Sequence, residues 1–373
     1  MAFPVLILGG YGHFGARIAR SLAHDADVHL IIAGRDAAKA RGFAAALGGG
    51  AEGLGLDAAD VQLAQHLHER GVRLVIHTAG PFQLQRYDVA FAAAAAGAHY
   101  IDLADGRRFV CDFETHTDSA FRKTHGVGIS GASTVPALAS AVVDALTLGW
   151  SRIDTIDTCI APAQRTPRGL ATMRAVLGYC GEPVEVWLQG RWQRLRGWAR
   201  PSEVRFAHLR TRLGALCDVP DLELFPVRYA GVHSVMFRAA LELRFTQRVM
   251  AVLAAARAAG AIAPPARWAT PLHRMAGWFD GFGSALGGMV VRVGGLDAHG
   301  RPCRRAWHVS ADDGRGPEIP CMPAVLLARQ LARGASWSPG ARACMGMLKL
   351  AAFEPEFRRF GMRTEVMDET RLA

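Results

Sequence analysis

The sequence predicts an α/β protein: a doubly wound parallel sheet followed by a second α+β domain containing a mixed sheet. Three observations predict it. Over the first 150 residues, short apolar β-type runs alternate with stretches of helical spacing. A glycine-rich turn joins the first run to the first helical stretch. After Trp150 the alternation gives way to β-type runs separated by fewer helices. A chain of 373 residues, half of them hydrophobic and a fifth charged, suffices for two such domains and is not a disordered chain.

Each element has its own signal. Phe3–Leu8 is an apolar first strand, and Phe14–Leu22 carries apolar positions at helical spacing. Val28–Ala33 is the second strand, and Asp36 caps the helix after it. A weaker strand ends near Leu56, and Asp57–Arg70 is helical. Val72–His77, Ala98–Asp102 and Val127–Ser130 supply strands four to six, with helices over Asp88–Ala96 and Phe113–Lys123. Strands alternating with helices give a parallel sheet covered on both faces. Ser133, Thr134 and Pro136 open the apolar run Ala137–Leu146 as a capped helix. In the second half, β-type runs lie at Asp154–Ile160, Pro183–Gly190, Val235–Leu243, Met289–Val293 and Ala306–Ser310. Helical stretches lie at Leu170–Leu177, Gln247–Ala259, Pro271–Phe279 and Pro323–Arg333.

Charge and cysteines narrow the class. The net charge is +10, but the basic residues scatter from Arg17 to Arg371 and cluster only as pairs, such as Arg304-Arg305. That pattern argues against nucleic acid as a partner and for a small-molecule substrate. The seven cysteines show no C-x-x-C spacing, so a zinc or redox site is not predicted and no metal is expected. Several sit in apolar stretches, as reduced thiols of a cytoplasmic protein do. The apolar run Phe3–Leu8 has no basic n-region before it and ends in a glycine turn, so it reads as a strand and not a signal peptide. Val249–Ala263 is interrupted by Arg257 and ends at Pro264-Pro265, too short to span a bilayer. A weak contact with a membrane surface is a second reading of that helix.

The chemistry begins at Gly9–Gly15. Gly10, Gly12 and Gly15 form G-x-G-x-x-G directly after a strand and at the opening of a helix. Gly10 permits the tight turn, Gly12 lets a pyrophosphate approach the backbone, and Gly15 lets the helix pack closely on the strand. The helix start offers its N–H groups and positive dipole to the phosphates. Tyr11, His13 and Phe14 line that loop. The expectation is a Rossmann-type dinucleotide-binding domain over residues 1–150. A substrate and dimerisation domain spans 151–316, and a C-terminal segment of about 317–373 packs back on the first domain. At the end of strand two stands Ala33-Gly34-Arg35, where an NAD site has a carboxylate for the ribose. Arg35 forks instead to a 2′-phosphate, so the expected cofactor is NADP. Asp57 either bonds the adenine edge or caps a helix. Thr78-Ala79-Gly80-Pro81-Phe82 follows strand four at the switch point, where a compact turn passes beside ribose and nicotinamide.

Taken together, Gly9–Gly15, Ala33–Arg35, Ala79–Phe82 and Gly97–Asp102 resemble the saccharopine dehydrogenase-like (saccharopine reductase) family. Arg168–Thr172, Asp218–Asp221 with Phe225-Pro226, and Gly316–Pro320 resemble segments of its uncharacterised bacterial members. The resemblance covers most of the chain. It implies an NADP-binding Rossmann domain, an α+β domain inserted before the C-terminal segment, and a homodimer formed through that domain's sheet. It leaves the substrate open. Relatives reduce an imine to join an amino acid to an aldehyde, or reduce double bonds in lipid assembly.

Hydride chemistry belongs to the cofactor, while the protein orients the substrate and supplies a proton. Candidates near the strand ends are His77, His99, Tyr100, Asp102 and Asp105. Tyr100 and Asp102 flank Ile101 and share one strand face, so they are expected to line the site as catalytic groups. Arg168, Thr172 and His233 are expected to hold a polar or acidic substrate. Ser133 sits where a hydrolase nucleophile would, but Gly131-Ala-Ser133-Thr-Val135 lacks the trailing glycine. An alternative function is a non-catalytic NADP-binding sensor or partner, which keeps the glycine loop without turnover.

Overall fold

The computed structural model describes residues 2–83, 85–166 and 169–370. The chain divides into two compact units. The first runs to Leu138 and takes in Glu318–Leu348; the second is Ala139–Pro317 with the residues from Lys349 onward.

In the first unit the strands β1 (Phe3–Leu8), β2 (Val28–Gly34), β3 (Glu52–Gly55), β4 (Leu74–His77), β5 (His99–Asp102) and β6 (Val127–Ser130) are all parallel. A seventh parallel strand, Gly340–Ala343, joins β6 from the far end of the chain. Their spatial order is 3-2-1-4-5-6 with that late strand outside β6. The order reverses between β1 and β4, because the connection after β3 crosses back past β1 and the later strands extend the sheet from β4. Leu6, Leu8, Ile31, Val75 and Tyr100 are buried in one apolar cluster with Phe113 and Phe121. Gly128 has no side chain because a Cβ there would stand 2.4 Å from the Phe121 ring.

In the first unit one helix start differs from the sequence expectation for a local reason. The helix expected over Asp57–Arg70 begins only at Leu63. Asp57 and Asp60 each accept a backbone N–H two residues on, from Ala59 and Gln62, and so fix turns instead. The segment Met322–Ala332 forms a helix whose Arg329 pairs with Asp25 at 2.7 Å and donates to the Ser21 carbonyl at 2.9 Å. Those bonds tie it to the helix Gly15–Leu22.

The second unit holds a seven-stranded mixed sheet. Its strands in chain order are β7 (Arg152–Ala161), then after the hairpin β8 (Pro183–Leu188) and β9 (Arg191–Arg196), β10 (Ser202–Val204), β11 (Arg212–Leu216), β12 (Ser234–Ala239), β13 (Gly287–Leu296) and β14 (Pro302–Ala311). Numbering the late strand of the first unit β15, the last is β16 (Arg363–Asp368). The order is β10-β11-β12-β7-β13-β14-β16, and β7 pairs parallel with β12 and antiparallel with β13. The run expected to reach Leu243 stops at Ala239 and turns into the helix Arg244–Ala258.

Candidate functional site

The site grows from the turn after β1. Gly9 takes φ 81°, a left-handed conformation that side chains disfavour. The amides of Gly9 and Gly10 both donate to the Ala33 carbonyl, at 2.8 and 3.0 Å, which fixes the turn against β2. A Cβ on Gly15 would lie 2.2 Å from the Gly9 carbonyl oxygen, so the helix approaches the strand as closely as bare backbone allows. The Thr78 hydroxyl, at the end of β4, donates to the Leu8 carbonyl at 2.9 Å and to that of Gly9 at 3.2 Å. The turn is thereby held from both sides of the switch point. Gly12 is exposed, and a Cβ there would meet only the Gly9 carbonyl. Its outer side is open backbone beside a helix start, a cradle that fits a pyrophosphate.

His13 and Arg17 border this cradle. Arg17 donates to the His13 carbonyl at 2.6 Å and pairs with Glu318 at 3.2 Å. Burial, and then the Arg17 charge, hold the His13 imidazole below its usual range, so it is neutral at neutral pH.

The end of β2 is organised by Tyr11. Its ring lies across Gly34, where a Cβ would stand 2.5 Å from the ring carbon Cε1. Its hydroxyl accepts the Asp36 N–H at 2.9 Å, and Asp36 in turn caps the helix Ala37–Leu47 through the Lys39 N–H. Arg35 sits between these fixed neighbours with its own side chain exposed. Asp57 is exposed after β3 and accepts the Ala59 N–H at 3.1 Å. The sequence shows Tyr11 only as a loop residue; its ring over Gly34 is a through-space pairing that spacing does not reveal.

Beyond Thr78, Phe82 turns inward with its ring 5.0 Å from His77 and 5.3 Å from Phe109. Gln85 pins the backbone of this turn, donating to the carbonyls of Ala79 at 2.7 Å and Pro81 at 2.9 Å. It was not among the residues singled out from the sequence. A side-chain amide within a few residues of a Gly-Pro turn was the available signal.

Tyr100 and Asp102 are both buried at the end of β5. Asp102 Oδ1 accepts three hydrogen bonds: from the Gly131 amide at 2.8 Å, the Ala104 amide at 2.9 Å and the Ser130 hydroxyl at 3.0 Å. Burial raises its pKa to about 6 against the pull of those donors. The Tyr100 hydroxyl lies 3.0 Å from His77 Nδ1. Burial and the neighbouring Asp102 charge push that phenol well above its usual range. Burial lowers His77 to about 4, so this imidazole is neutral at neutral pH. His99 faces the other way and accepts the Val127 amide at 3.1 Å, tying β5 to β6.

Two of the three second-unit residues lie within the described residues. Arg168 lies outside the described residues. Thr172 is exposed on the helix Leu170–Gly178. His233 is exposed just before β12, 3.8 Å from Asp154. Among the described residues no hydrogen bond or ion pair joins those two.

Comparison with known proteins follows the geometry. Residues 5–129 match the family model described as the saccharopine dehydrogenase NADP binding domain. No curated protein matches the chain. Among solved structures, an apo saccharopine dehydrogenase (L-Glu forming) from Saccharomyces cerevisiae is similar at TM-score 0.70 and 13% identity, over 98% of this chain and 100% of that one. A diaminopimelate (DAP) dehydrogenase from C. glutamicum, solved with DAP, reaches TM-score 0.48 at 13% identity, over 92% and 93%. An engineered D-amino acid dehydrogenase bound to NADP+ also reaches 0.48 at 13% identity, over 93% and 94%. The yeast structure speaks to the fold, and the other two fall too low to weigh.

Proposed function

We propose that the chain is a saccharopine dehydrogenase-like, NAD(P)-dependent oxidoreductase, as the match of residues 5–129 supports, and that it moves hydride between NADP(H) and an imine, carbonyl or enoyl group of a small or lipid-like substrate. The observation that carries the cofactor half is the end of β2. Gly34 is covered by Tyr11, the carboxylate of Asp36 is spent on a helix cap, and the exposed side chain at the ribose position is Arg35. A guanidinium forks to a 2′-phosphate, and no acid stands there to reject one.

NADPH, when bound, supplies the hydride. The chain's own residues do the positioning. The bare backbone of Gly10, Gly12 and Gly15 seats the diphosphate, with Tyr11, His13 and Phe14 around it. Thr78–Phe82 shapes the far side of the crevice, held by Gln85. Asp57 follows Leu56, whose amide donates to the Gly34 carbonyl at 2.9 Å, and is the proposed contact to the adenine end. Tyr100 and Asp102 act as positioning residues: buried within their unit, they present no surface to a substrate. Asp102 fixes the strand end through its three donors, and Tyr100 fixes His77 under the Thr78–Phe82 turn. Arg168, Thr172 and His233 are the proposed contacts to a polar or acidic substrate.

The test is NADPH oxidation followed with panels of imine, keto and enoyl acceptors. One panel is expected to give turnover that Gly12→Val abolishes. Cofactor binding without turnover on any panel would favour a sensor.

A further inference from the structure

One stretch of the second unit leaves its apolar side chains outside. Of the thirteen large hydrophobic side chains exposed among the described residues, seven fall within residues 244–282. The most exposed of them are Phe282 at 78%, Trp278 at 75%, Val252 at 67% and Phe245 at 63%. The helix Arg244–Ala258 buries Gln247 and Ala254. Its buried face carries the polar Gln247, whose Oε1 accepts the Leu241 amide at 2.9 Å, while Phe245, Val249 and Val252 face solvent. The turn Gly277–Phe282 adjoins the start of that helix, because the rings of Phe245 and Phe279 stand 6.4 Å apart. A lone exposed Leu needs no account, but a cluster containing two tryptophans does.

The charge on the same stretch is mainly positive. It carries five arginines and a single acid, Asp280, which accepts from Gln164 at 3.1 Å. Arg244 pairs with Glu203 and Arg257 with Glu182. Arg248, Arg267 and Arg274 are exposed beside the apolar groups.

We propose that residues 244–282 seat the second unit on an anionic phospholipid bilayer, with the aromatic rings at headgroup depth and the arginines on the lipid phosphates. Exposed Trp and Phe suit a layer apolar on one side and wet on the other. The arginines make the attraction selective for anionic lipid. A second copy of the chain suits this surface poorly, since two like-charged patches would face each other. Among the described residues no helix is long and apolar enough to cross a membrane, so the contact is one of lying on the surface.

The full chain is sedimented with vesicles of phosphatidylcholine alone and of phosphatidylcholine with phosphatidylglycerol. Binding to the mixed vesicles is expected, at least about tenfold tighter than to the neutral ones and weakened by salt. Arg248→Gln and Arg274→Gln are each expected to weaken it about fivefold. Trp278→Ser combined with Phe282→Ser is expected to weaken it about tenfold or more. Val61→Ser, at a residue 98% exposed in the first unit, is expected to change nothing. NADPH titration of each variant reports whether the chain is folded. The proposal is overturned by no sedimentation with either vesicle, by equal binding to both, or by full binding of the folded double variant. It is equally overturned if sedimentation equilibrium shows that the double variant splits a dimer, because the occupant is then a second copy.

Discussion

Two strand ends of one sheet are built in opposite ways. At the end of β2, Arg35 stands exposed while its neighbours Gly34 and Asp36 are locked by Tyr11 and by a helix cap. At the end of β5, Asp102 is buried and its Oδ1 already accepts three donors. Both residues are charged types at the carboxyl edge of a parallel sheet, where ligands collect. Only one has hydrogen-bonding capacity to offer outward. A strand-end charge is therefore read by its exposure and its partners, not its position: a buried one bonded to neighbouring backbone holds the scaffold, and an exposed one is open to a ligand.

The largest effect is expected at the turn on which both ends depend. Gly15→Val would force side-chain atoms into the Gly9 carbonyl, at a site where even a Cβ stands 2.2 Å away. It should cost about 3 kcal/mol or more in stability and abolish NADPH binding. Urea unfolding and cofactor titration check the two parts, and tight binding by a folded variant would refute the close-packing argument.

Asp102→Ala should cost nearly as much, about 3 kcal/mol, because it leaves the buried amides of Ala104 and Gly131 without an acceptor. A loss below about 1 kcal/mol would mean that the end of β5 is less tightly organised than its bonds imply.

The pH dependence at β5 has two opposing parts. Asp102 is raised to about 6, so its neutral form favours folding. That contribution is complete below about pH 4 and is lost as pH rises through about 6. His77 is lowered to about 4, so its neutral form also favours folding. Its contribution is complete above about pH 6.5 and is lost as pH falls through about 4. Between those limits the two slopes oppose, and the unaltered chain should show a shallow profile from these groups. His77→Phe should leave the Asp102 slope alone, with stability falling by up to about 3 kcal/mol as pH rises from 4 to 6.5. Urea midpoints across that window check it; a variant profile parallel to the parent would refute the assignment.

The smallest effect is Tyr11→Phe. It removes the acceptor of the Asp36 amide but keeps the ring over Gly34. A stability loss of about 1 kcal/mol is expected, with the preference between the two cofactors unchanged. A reversed preference would show that the hydroxyl, and not Arg35, reads the ribose.

What the sequence made legible was whatever is encoded within about ten residues. Strand β1, the glycine turn and the helix after it are read from spacing alone, and the structure puts β1 over the same Phe3–Leu8. Strands whose identity comes from a distant partner were not legible. Gly340–Ala343 is short and weakly apolar, and becomes a strand because β6 offers it an edge. Arg191–Arg196 holds three arginines and becomes a strand as the return arm of a hairpin with Pro183–Leu188. The same limit applies at the site. Alternation places Tyr100 and Asp102 on one face, but burial depends on Ser130, Gly131 and Phe113, which come from elsewhere in the chain. Asp57 is legible in the sequence as an adenine contact or a helix cap, whereas the turn that it fixes through the Ala59 amide is not.

Arg35 is the residue proposed to choose the cofactor, and fluorescence titration of the unaltered chain with NADPH and NADH reads that choice. NADPH is expected to bind more tightly by about tenfold to a hundredfold, the worth of one charge-assisted pair. Arg35→Asp should erase or invert the difference without moving the melting temperature. Equal affinities in the unaltered chain, or a preference that survives Arg35→Asp, would contradict the account.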